Sequence, residues 1–164
     1  MKKIVSIASV LSWICLVVWG LICVFGLLFS LGTGNLPLIA SAFLLSSVVL
    51  HAYAALQLHK SIRNPAIPLN RQTSAGIRFV GFAALFFGLL YITYSLAIIQ
   101  HPQDLLQTMQ SSMPQAKGVT IGQVRACGVF ILLLGLCPVV NVFLNFRLLR
   151  WYSMWKERDN QDKP

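Results

Sequence analysis

HKSIRNPAIPLNRQTSAGIR, residues 59–78, carries Lys60, Arg63, Arg71 and Arg78 between two long uncharged blocks. Residues 4–59 contain no Lys, Arg, Asp or Glu, and residues 79–103 contain none either. A basic polar island between two apolar blocks of bilayer length reads as a cytoplasmic loop joining two halves of a membrane protein.

Composition points the same way. Of 164 residues, 57% are hydrophobic and 10% are charged, against about 25% charged in soluble domains. A soluble globule of this size leaves too much surface exposed to hide so much apolar side chain. Lipid must be the solvent for much of the chain. The expected fold is all-α: a polytopic membrane protein with four transmembrane helices in one bundle, forming a single membrane domain. The spans are expected at residues 5–29, 38–58, 79–99 and 123–146. A cytoplasmic loop (59–78), an outer loop (100–122) and a cytoplasmic tail (147–164) connect and follow them.

Charge placement orients these spans. Eleven of the 13 Lys and Arg fall at the N-terminus (Lys2, Lys3), in the central loop, or in the tail (Arg147, Arg150, Lys156, Arg158, Lys163). The other side has Lys117 and Arg125. The positive-inside rule then puts both termini in the cytoplasm. The net charge of +9 does not suggest nucleic acid, because the cations sit at span ends and form no face or stripe. Their expected partners are the bilayer and the anionic lipids of its cytoplasmic face.

The first apolar run follows two lysines but is longer than a 7–15-residue signal core and ends in no A-x-A site, so it reads as an uncleaved span. Gly32, Gly34, Asn35 and Pro37 make a tight turn after it. In the central loop Pro65 and Pro68 favour an extended middle, and Asn70 or Thr73 can cap the third helix. Gly81, Ala84, Gly88, Tyr91 and Ser95 recur at spacings of three and four. That stripe of mostly small residues suits close helix packing. The outer segment admits two readings. One is a short helix from Pro102 and Asp104, with Leu105, Leu106, Met109 and Met113 along one side; the other is a plain loop. Pro138, deep in the fourth span, removes a helical hydrogen bond from the carbonyl of Leu134 and predicts a kink.

Ionisable residues inside a span are functional candidates by default. The expected spans hold no Asp or Glu, which disfavours a proton-coupled antiporter. His51 is the clear intramembrane titratable group, with Ser47 on its face; Asn141 and Asn145, four apart, complete a candidate polar site. His51 lacks a second intramembrane His for a bis-histidine haem, so no cofactor is expected. Cys15, Cys23, Cys127 and Cys137 all fall in spans with no C-x-x-C pair, which speaks for small buried hydrophobes over a membrane disulfide oxidase. No catalytic motif is present, so an enzyme is not expected. Beyond the fourth span, Arg147, Arg150, Trp151, Tyr152, Trp155, Lys156 and Arg158 have the basic and aromatic composition of a lipid interface.

The hydropathy layout, with PLNRQTSAGIRFVG (68–81) leading into the third span, resembles that of small uncharacterised four-span proteins of bacterial inner membranes. The resemblance implies that location and brings no activity or site residues with it. The function expected is that of an accessory or regulatory interaction subunit, with a membrane-protein partner or a homo-oligomer. The alternatives are an oligomeric small-solute transporter or channel component using His51 and the Asn141/Asn145 region, and thirdly a redox or haem protein.

Overall fold

The structure, a computed structural model, describes residues 2–34, 36–64, 66–112 and 118–161. Among the described residues it is all α-helix and irregular connection: α1 (Lys2–Thr33), α2 (Leu36–Arg63), α3 (Arg71–Gln100), α4 (Pro102–Ser112) and α5 (Ile121–Gln161). α1, α2, α3 and α5 are long and apolar enough to cross a membrane, which takes about 20 residues each.

The helices outrun the expected spans. Much of the expected loop 59–78 is helical, leaving residues 64–70 between α2 and α3. The tail is helical to Gln161. Hydropathy marks where lipid begins; it does not mark where a helix ends. At 41 residues, α5 has roughly twice the length of chain that a bilayer crossing takes.

Local chemistry sets the ends. Gly34 takes φ +64° just past α1, the left-handed position that glycine fills at no steric cost. Asn70 caps α3: its Oδ1 accepts the Gln72 N–H at 3.0 Å and its carbonyl accepts the Ser74 N–H at 3.1 Å. Pro65 and Met113 lie outside the described residues.

The chain divides into two compact units. The first, Met1–Phe87 with Pro138–Pro164, contains α1, α2, the first part of α3 and the last part of α5. Its core joins Val5 and Ala8 of α1, Leu58 of α2, Leu69 of the connection, Ile77 of α3, and Leu148, Leu149 and Tyr152 of α5. Trp19 of α1 meets Phe87 of α3 edge-on, with ring centroids 5.6 Å apart.

The second unit is Gly88–Cys137. The segment expected outside takes the helical option: α4 opens on Pro102, with Asp104 in its first turn, where a fixed φ and a negative charge both suit a helix start. Leu105, Leu106 and Met109 are half-buried on one side. α5 begins on a reciprocal cap. The Gln123 Oε1 accepts the Thr120 N–H at 2.9 Å, and the Thr120 Oγ1 accepts the Gln123 N–H at 3.4 Å. Gly135 of α5 faces α3 closely: a Cβ there would stand 3.1 Å from the Tyr91 Cβ and 3.3 Å from the Gly88 carbonyl. Gly88 and Ser95, the later part of the expected small-residue stripe, are both buried.

Candidate functional site

Four buried polar side chains from three helices meet inside the first unit. Asn141 and Asn145 stand one turn apart on α5, so both amides lie on one face. The Asn145 Nδ2 donates to the Asn141 Oδ1 at 2.9 Å, to the Asn141 carbonyl at 2.7 Å and to the Ser12 Oγ at 3.4 Å. Ser12 of α1 in turn donates to the Asn141 Oδ1 at 2.8 Å. On the far side of the amide, the Asn145 Oδ1 lies 2.7 Å from the His59 Nε2 of α2. An amide oxygen only accepts, so the His59 Nε2 carries the hydrogen. The Asn145 amide therefore ties α1, α2 and α5 together. Each such bond contributes about 0.6 kcal/mol between membrane helices.

His51 stands apart from this network. Its ring is buried beside the edge-on ring of Phe146, with centroids 6.1 Å apart, and beside Gly81, whose notional Cβ would lie 3.0 Å from Nδ1. The Ile77 main chain lies nearby, but neither ring nitrogen completes a hydrogen bond. Ser47, placed with His51 by the sequence reading, instead donates back to the Leu44 carbonyl of its own helix. The expected grouping of His51, Ser47, Asn141 and Asn145 is thus rearranged. His59, two turns further along α2, is the histidine that reaches the asparagines. Gly81 and Ala84, the earlier part of the small-residue stripe, are buried on α3, with Gly81 against Phe146 and His51.

The interfacial segment also divides. Arg147, Arg150, Trp155 and Lys156 are exposed and Trp151 is half-buried. Tyr152, expected at the lipid surface, is in the core, where its hydroxyl accepts the Leu69 N–H at 3.1 Å. A loop N–H inside a packed core needs an acceptor, and that need draws Tyr152 inward. The Arg158 and Arg71 side chains lie outside the described residues.

Two grooves flank this end of the unit. One, of about 300 Å³, runs between α3 and α5 and includes Arg78, Phe82 and Arg150. The other, of about 440 Å³, lies between α1 and α2 and includes Trp13, Tyr53, Lys60 and Arg63. Among the described residues no group of three or more His, Cys, Asp or Glu is placed to hold a metal ion.

Sequence reading missed Ser12 and the inward role of His59. Ser12 is one of several serines in the uncharged stretch of α1 that follows Lys3, with nothing local to distinguish it. His59 abuts Lys60, so hydropathy put it at the membrane edge. The spacing of 51 and 59, eight residues on one helix face, was the available signal. No protein-family model, curated protein or solved structure matches this chain.

Proposed function

We propose that this is a multi-pass protein of a bacterial inner membrane, with both termini cytoplasmic, that acts as an accessory subunit by binding another membrane protein through its outer helix faces. The Asn145 amide carries this reading. Four interior polar groups that a solute site could use, Ser12, Asn141, Asn145 and His59, are engaged with one another in one internally bonded set. Such a set fixes helix register and leaves the outer surface for recognition.

The test is photo-crosslinking in native membranes. A benzophenone side chain is placed at exposed Phe43, Phe79 or Phe130, one per variant. The expected result is one stoichiometric adduct, of one mass, from a subset of these positions. A transporter or channel component is the second reading, favoured by His51, whose ring nitrogens are buried without partners. Self-adducts alone, together with solute flux in proteoliposomes of the purified chain, would replace the first reading with the second.

A further inference from the structure

The groove between α1 and α2 has the layout of a lipid site. Lys60, Arg63 and Asn64 lie at the end where α2 stops. Trp13 and Gln57 follow, and then Leu16, Leu56 and Tyr53. Positions 53, 56, 57, 60 and 63 form one stripe of α2, and Asn64 follows just past its end. From 53 to 63 the stripe covers about 15 Å, the depth of a headgroup, a glycerol and the first acyl carbons. No acidic residue lines the groove, so its two cations face an anion-complementary space.

A second feature is independent of those surface charges. His59 forms part of the groove wall, yet its side chain is only 2% exposed. Its Nε2 is committed to Asn145, while Nδ1 has no partner. With the hydrogen on Nε2, Nδ1 is an acceptor. A buried acceptor without a donor is costly, and His59 is the groove-wall residue that carries one.

We propose that this groove binds one anionic phospholipid, its phosphate on Lys60 and Arg63 and its upper acyl chain against Leu16 and Leu56. Basic pockets between helices at a cytoplasmic surface hold headgroups by this combination of charge and apolar wall. The site is separate from the C-terminal cations of α5 and does not depend on the accessory-subunit reading.

The experiment is native mass spectrometry of the full chain in detergent with equal phosphatidylglycerol and phosphatidylcholine. One phosphatidylglycerol should be retained per chain. In Lys60→Gln/Arg63→Gln its retention should fall about tenfold or more, given the contribution of each cation. Arg78→Gln/Arg125→Gln removes the same charge outside the groove and should retain lipid within about twofold of the unsubstituted chain, because screening confines the effect to a Debye length. Equal loss in both variants, or no loss in the first, overturns the site. Displacement by millimolar glycerol phosphate would overturn the lipid and assign the groove to a soluble phosphate; no displacement supports the lipid. A second readout does not need the variants to fold. With Trp19, Trp151 and Trp155 replaced by Phe, Trp13 emission should be quenched more by brominated phosphatidylglycerol than by brominated phosphatidylcholine. Equal quenching overturns the proposal.

Discussion

The His59 ring donates through Nε2 to the Asn145 Oδ1 across 2.7 Å, joining α2 to α5 over 86 residues of sequence. The bond sits at the hub of a set in which the other end of the same amide reaches Asn141 and Ser12. Deleting one partner strands the other, so the cost of a single substitution exceeds the net worth of the bond.

This predicts the outcome of a double-mutant cycle. Asn145→Ala should destabilise the protein by about 1–3 kcal/mol, because buried donors and acceptors lose their partners. His59→Ala in that background should cost less than it does alone, with a coupling of about 0.5–2 kcal/mol. Reversible unfolding in mixed micelles measures all four corners. Additive costs would show that the two side chains do not interact.

At Gly81 the constraint is steric. A Cβ there would come within 2.6 Å of the Phe146 ring and 3.0 Å of the His51 Nδ1. Gly81→Ala should therefore destabilise by about 1–3 kcal/mol, the usual range for overpacking. Phe146→Leu should recover part of that loss by shortening the obstructing side chain. A neutral Gly81→Ala would mean that the helices have room to separate.

What could be read in advance was what the solvent dictates. Four long helices follow from uncharged blocks, because a backbone in lipid must satisfy its own hydrogen bonds. The Asn70 cap and the buried stripe at 81, 84, 88 and 95 also follow from local chemistry and spacing. The polar centre was half legible. Asn141 and Asn145 announce a face by their spacing, but nothing local says that Ser12, 129 residues away from Asn141 in sequence, is the third member. Nor does composition distinguish Tyr152, in the core, from Trp155, on the surface. Both are interfacial residue types, and the difference lies in the Leu69 N–H that only the folded chain brings near.

Topology gives the third prediction. Reporter fusions at Asn35, Asn70, Gln110 and the C-terminus should read out, in, out, in, as the basic residues dictate. A C-terminal tag reached by an impermeant reagent in intact cells would reverse the assignment.

The contrast between Tyr152 and Trp155 gives the fourth. Tyr152→Phe removes the acceptor of the Leu69 N–H and should cost about 1–3 kcal/mol, the penalty for an orphaned buried donor. The Leu69 amide should then exchange faster with solvent. Trp155→Phe, at an exposed position, should change stability by less than about 0.5 kcal/mol, as surface substitutions usually do. Equal effects would place both rings in one environment.

His51 gives the last prediction, and it separates the two functional readings. Its ring is buried, with neither nitrogen hydrogen-bonded, while Phe146 and Gly81 pack against it. A polar ring in that setting carries a desolvation cost of about 1–3 kcal/mol that no bond offsets. An apolar side chain of similar volume avoids that cost. His51→Leu should accordingly match or exceed the native protein in stability, and the photo-crosslinked adduct should persist. If His51 instead serves a permeating solute, the same substitution should leave the fold intact and abolish flux in proteoliposomes. Thermal unfolding in detergent and a flux assay on the same preparation distinguish the cases. A stable His51→Leu protein with its partner bound supports the accessory subunit. A stable variant that has lost solute flux identifies His51 as part of a pathway. A large loss of stability would show that the ring is held by a polar partner such as the neighbouring Ile77 main chain, and would overturn the desolvation argument.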